Sequence, residues 1–152
     1  MGIVGASCAD EATAAGLRVA IVEPGPIGGG ATACAMGHLL AMDDDPAELA
    51  LARYSLQHWE GFAELAEAEF SRCGTLWIAR SEAEAASIAM RVERLNASGG
   101  EAHAVDARTL YELEPALAPG LRGGMLVPRE AVIYQPRVAL HLVQRAQQRG
   151  AQ

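Results

Sequence analysis

The sequence predicts an α/β chain: a partial Rossmann-like nucleotide-binding domain, its first strand missing, joined to part of an α+β domain. Three observations carry this. Gly2-Ile3-Val4-Gly5 is the second half of a G-x-G-x-x-G turn, in which glycines let the backbone approach a pyrophosphate at a helix N-terminus. Met1 stands where the preceding strand and first glycine of that pattern belong. Eighteen residues after Gly5, an apolar run of strand length ends in Glu23, close to the ~20 expected for an acid that meets an adenosine ribose. Beyond Glu23, helix and strand signals alternate to the end of the chain.

Each element has its own signal. Ile3 to Ala15 reads as a helix of small residues, suited to close packing on a sheet and ended by Gly16 at its C′ position. Leu17 to Glu23 reads as a buried parallel strand, and Gly25 to Gly30 as a turn ordered only against something else. Asp43-Asp44-Asp45-Pro46 starts a helix, with Asp45 as cap and Pro46 at N1. That helix places Leu49, Ala52, Leu56, Trp59, Ala63 and Ala66 on one face. Thr75 to Ala79 is a strand, and Ser81 to Glu84 a capping box opening a helix that ends near Gly99-Gly100. A short strand over Glu101–Val105, an Asp106 cap and a helix over Ala107–Leu113 stopped by Pro115 follow. Strands over Gly124–Val127 and Ala131–Tyr134 lead to a last amphipathic helix from Arg137 to Arg149. The expected division is 1–45 as a partial βαβ unit with a cofactor-contacting loop, 46–130 as a helix plus partial substrate domain, and 131–152 as a truncated return.

Composition narrows the function. The net charge of −7, with arginine as the only cation, excludes a nucleic-acid groove, which needs a basic face. Cys8, Cys34 and Cys73 have no metal or disulfide spacing. No apolar run reaches the ~20 residues of a membrane span, and no leader pattern opens the chain. The expectation is a cytoplasmic protein, peripheral to the inner membrane only through partners, that takes a small substrate and binds no metal.

Glu23 favours a ribose with a free 2′-hydroxyl, hence FAD or NAD over NADP. The stretch Ile27-Gly28-Gly29-Gly30-Ala31-Thr32-Ala33-Cys34-Ala35-Met36-Gly37-His38 separates those two cofactors. It resembles the segment after the ribose-binding acid in the FAD-dependent D-amino-acid oxidase, glycine oxidase and sarcosine oxidase superfamily. The resemblance continues through Asp43–Pro46, Gly74-Thr75-Leu76 and Val132-Ile133-Tyr134-Gln135-Pro136. Within the superfamily the chain is most similar to bacterial flavoprotein subunits of the D-hydroxyproline dehydrogenase, opine oxidase and hydrogen cyanide synthase kind.

The resemblance implies FAD contacts at Gly2, Ile3, Val4 and Gly5 for the pyrophosphate, and at Glu23 and Pro24 for the adenosine ribose. It implies Ala31 and Thr32 along the diphosphate and ribityl chain, and Met36, Gly37 and His38 beside the flavin. His38 reads equally as a flavin neighbour and as a histidine bonded into the domain junction, and Cys34 as a small buried residue rather than a covalent flavin anchor. The implied reaction dehydrogenates a C–N bond, with hydride passing from the substrate Cα to flavin N5 and water hydrolysing the resulting imine. Substrates of this kind are D-amino acids, D-hydroxyproline, glycine or sarcosine-like secondary amines, with partner subunits in a multi-subunit dehydrogenase. Catalytic residues stay unassigned: the substrate-gripping groups of the superfamily lie in its later half, and Arg53, Arg80 and Arg91 read as solvated. Two other readings stand beside this one. The chain is a non-catalytic truncated fragment, colourless and unable to hold FAD, or it is an NAD-binding module, which the Gly28–Gly37 stretch disfavours.

Overall fold

Small residues and two arginines set the first packing layer. α1 (Ile3–Ala14) buries Ala6, Ala9, Asp10 and Thr13, spaced to share one face of a helix. It ends at Ala15, and Gly16 follows in the left-handed region at φ +78°. Against it lies α6 (Gln135–Gln148), whose buried stripe is Val138, Ala139, Leu142, Val143 and Ala146. Burying each of its valines and its leucine contributes roughly 1.5–3 kcal/mol, and the alanines opposite let the helices approach closely. The structure, a computed structural model, describes residues 1–152.

The pair belongs to a first compact unit made of Met1–Leu39, Gln57–Ser71 and Val132–Gln152. This unit also holds α2 (Ala31–Cys34), β1 (His38–Leu39) and a single 3-10 turn, Ala66–Ala68. Ser71 and Val132 exchange two backbone hydrogen bonds of 2.9 Å. A second unit comprises Leu40–Leu56 and Arg72–Ala131. Its sheet is antiparallel, with β4 (Gly123–Val127) between β2 (Thr75–Ala79) and β3 (His103–Val105). Thr75 faces Val127 and Ala79 faces Gly123, while His103 faces Leu126. Leu49 from α3 (Pro46–Glu60), Ile88 and Leu95 from α4 (Glu82–Ala97), and Met125 and Val127 fill its core. Gln57–Ser71 thus belongs with the two ends of the chain in the first unit.

Capping chemistry sets most boundaries. Asp45 Oδ1 accepts from Ala47 N at 2.8 Å and Glu48 N at 3.1 Å. Ser81 and Glu84 form a reciprocal capping box. Asp106 opens α5 (Ala107–Leu113) by accepting from Thr109 N at 2.7 Å, and that bond holds its carboxyl below the ordinary range. No helix is long and apolar enough to cross a membrane.

Four expectations change. Leu17–Glu23 forms no strand: beyond Leu17 N to Ala12 O at the end of α1, its backbone pairs with Gln152, through Ile21 N to Gln152 O at 2.6 Å and Gln152 N to Val19 O at 3.1 Å. A strand is defined by a lateral ladder, and here Leu17 and Val22 are 63% and 89% exposed. α3 stops at Glu60 because Gly61, Phe62 and Ala63 turn back on residues three earlier, so Ala63 and Ala66 leave its face and are exposed. β5 (Ala131–Val132) is shorter than expected, because Tyr134 N donates to Ala68 O and Tyr134 becomes the N-cap of α6. The helix thus begins at Gln135, with Pro136 in its first turn.

Candidate functional site

The N-terminus of α1 opens without a side-chain cap of its own, since Gly2 occupies the N-cap position. The missing acceptor comes from thirty residues downstream. Thr32 Oγ1, buried on α2, accepts from Ile3 N at 3.0 Å and keeps its hydroxyl hydrogen free to donate. A Cβ at Gly2 would stand 2.8 Å from that oxygen, so only glycine lets the two segments close. The second glycine is less constrained: a Cβ at Gly5 would meet only the Met1 side chain, 3.0 Å from its Cγ.

Glu23 reaches the same place from the other side. Its Oε1 accepts from Gly25 N at 2.8 Å, and its other oxygen pairs with the Met1 ammonium. Between Glu23, Gly2, Gly29, Gly30 and Thr32 lies a cavity of about 500 Å³, within the range of small-molecule and cofactor sites. A carboxylate, a helix N-terminus and glycine backbone thus line one space, each suited to a different part of a nucleotide: ribose hydroxyls, phosphate, and close approach.

The structure brings together Gly2, Ile3, Glu23, Pro24, Ala31 and Thr32 around or beside this cavity. Val4 and Gly5 follow in the first turn of α1, with Val4 75% exposed. Met36 and His38 are exposed on either side of buried Gly37, farther along the same stretch. The close approach that Gly37 permits is to the Ile133 carbonyl, which a Cβ would overlap. Cys34 corrects the sequence reading: it is exposed, because in the four-residue α2 only Thr32 turns inward.

Two of the three arginines considered for substrate have side chains engaged elsewhere. Arg53 donates to Leu95 O at 3.2 Å, while Arg91 pairs with Asp44 at 3.6 Å and lies 5.2 Å over the Trp77 ring. Arg80 follows β2 and its backbone N donates to Glu84. Sequence reasoning missed two buried acids. Asp10 lies in an alanine-rich helix, and Glu130 in a turn that reads as solvated, yet each is 1% exposed. Glu130 Oε1 accepts from Ala41 N at 2.6 Å.

A helix N-terminus, a ribose-type acid and a glycine-lined cavity are the arrangement of a nucleotide-binding α/β protein. The FAD dependent oxidoreductase family, DAO, matches residues 1–152. The chain belongs to this family, and its cofactor is FAD. Among solved structures it is similar to glycine oxidase from Geobacillus kaustophilus, at 27% identity and a TM-score of 0.89. It is also similar to iminodiacetate oxidase from Chelativorans sp. BNC1, at 25% identity and a TM-score of 0.79. In both cases 99% of this chain aligns with 43% of the other. The mitochondrial pyruvate dehydrogenase phosphatase regulatory subunit of Mus musculus is 29% identical over 155 residues, covering 99% of this chain and 18% of that protein.

Proposed function

We propose that this chain supplies the nucleotide-gripping part of an FAD-dependent oxidoreductase that dehydrogenates the C–N bond of an amino acid or secondary amine. The observation that carries the reading is the closure of Thr32 onto Ile3 N beside Glu23, which sets the first turn of α1 and a carboxylate on one cavity. Glycine oxidase and iminodiacetate oxidase, named for substrates with C–N bonds, support the substrate class. The regulatory-subunit relative supports work within a multi-subunit assembly.

In this reading Glu23 accepts hydrogen bonds from the adenosine ribose, Gly2 to Gly5 present backbone to the pyrophosphate, and Pro24 flanks the ribose. Ala31 and Thr32 lie along the diphosphate and ribityl chain, with the Thr32 hydroxyl as donor. Met36, Gly37 and His38 face the flavin end. Bound FAD supplies the hydride-accepting centre; the residues of this chain orient it.

A second reading has support of its own: by itself the chain is non-catalytic and loses FAD. The exposed side chains of Leu17 and Val22 weaken the adenosine side. Expressed alone, the 152-residue chain is expected to purify colourless yet to titrate weakly with ADP and FAD. A yellow, stoichiometric complex would overturn the second reading. Glu23→Ala is expected to weaken ADP binding by ~1.5–3 kcal/mol, the worth of a hydrogen bond to a charged acceptor. Unchanged ADP affinity in a titration calorimeter would remove Glu23 from the site.

A further inference from the structure

The segment Ile133–Pro136 holds the Gly28–Gly37 stretch at both ends. Gly28, at φ +76°, approaches so closely that a Cβ would stand 3.0 Å from Pro136 Cα. Gly37, at φ +80°, accepts through its carbonyl from Ile133 N at 2.9 Å. Gln135 completes the set when its amide is turned to match its neighbours. Its oxygen then accepts from Gly37 N at 2.9 Å, and its nitrogen donates to Ile133 O at 3.1 Å. Both polar groups of Gly37 are therefore engaged inside the protein. Met36, 82% exposed, and His38, also exposed, project from a backbone that is held on both edges.

We propose that Gln135 is a positioning residue, latching Gly37 so that Met36 and His38 are presented in a fixed direction to the flavin end of FAD. This rests on the FAD reading above. The chemistry of the side chain is specific to the task. Glutamine carries a donor and an acceptor on one planar group; a carboxylate keeps the acceptor alone, and alanine has neither. Without the latch, Gly37 is held by one bond only. A glycine with that freedom leaves the left-handed region readily.

Amide hydrogen exchange in the 152-residue chain, followed by titration with FAD and with ADP, tests the proposal. Gln135→Ala is expected to speed exchange at Gly37 roughly tenfold, as loss of one hydrogen bond would. Exchange at Val138 to Ala146 stays unchanged, FAD affinity falls roughly fivefold or more, and ADP affinity holds. Gln135→Glu, which keeps the acceptor for Gly37 N, is expected to retain most of the Gly37 protection and guards against a variant that merely unfolds. Unaltered Gly37 exchange in the alanine variant would overturn the latch. Equal loss of FAD and ADP affinity would reduce Gln135 to a structural role and overturn the proposal. A wild-type chain that binds neither ligand would instead overturn the FAD reading, and with it the role given to Gln135, even where the exchange result stands.

Discussion

Replacing Gly37 with alanine is expected to destabilise the chain by about 3 kcal/mol, from two additive causes. The backbone there sits at φ +80°, where an L side chain costs roughly 1–2 kcal/mol. The new methyl would also overlap the Ile133 carbonyl oxygen, itself fixed by α6. Overpacking of that sort costs roughly 1–3 kcal/mol. Gly16 separates the causes, because it has nearly the same φ, +78°, with nothing within 4 Å of a Cβ. Gly16→Ala should therefore show only the conformational cost, roughly 1–2 kcal/mol. Urea unfolding of both variants checks this; equal losses at the two sites would mean that the Gly37 contact relaxes freely.

Truncating Asp10 to alanine is expected to cost a further large amount, about 2–3 kcal/mol. Asp10 is the hub between α1 and α6. Its Oδ1 accepts from Arg145 Nε at 3.1 Å and Arg149 Nη1 at 2.7 Å, and its Oδ2 pairs with Arg145 Nη2. Arg149 also donates to the Asp10 carbonyl at 3.2 Å. The hydrogen bonds that Arg145 donates to the Asp10 carboxylate hold its guanidinium above its ordinary pKa. Breaking a fully buried pair costs roughly 3–5 kcal/mol. The lower figure applies here because the arginines are 38% and 39% exposed and recover hydration once released. Asp10→Asn, which keeps acceptor oxygen but no charge, should fall between. A midpoint shift worth less than about 0.5 kcal/mol in the alanine variant would show the clasp to be a surface pairing.

Much of this was legible in the residues before any coordinates. Helix ends carry local chemistry, so Asp45-Pro46, Ser81 with Glu84, Asp106 and Gly16 marked their positions unaided. The cavity was legible because glycine spacing and a single acid encode it: Gly2 and Glu23 do line one space. Features that depend on a distant partner were not. Leu17–Val22 has every apolar residue of a strand but lacks a ladder. Asp10 looks like any polar residue on an alanine-rich helix until Arg145 and Arg149 are brought over it. Gln135 falls before the helix expected from Arg137, and nothing in its neighbourhood names Gly37 as its partner.

The reciprocal bonds between Ser71 and Val132 have an evolutionary consequence. They close the neck of the excursion from Arg72 to Ala131, so its two ends stay side by side whatever lies between them. Closing a longer or shorter loop at such a neck changes the entropy cost only slowly with length. Changes of length within the excursion are therefore expected to leave the Ser71–Val132 bonds in place. Leu40–Leu56 must change with the excursion, because Leu49 shares its core and Ala41 N donates to Glu130.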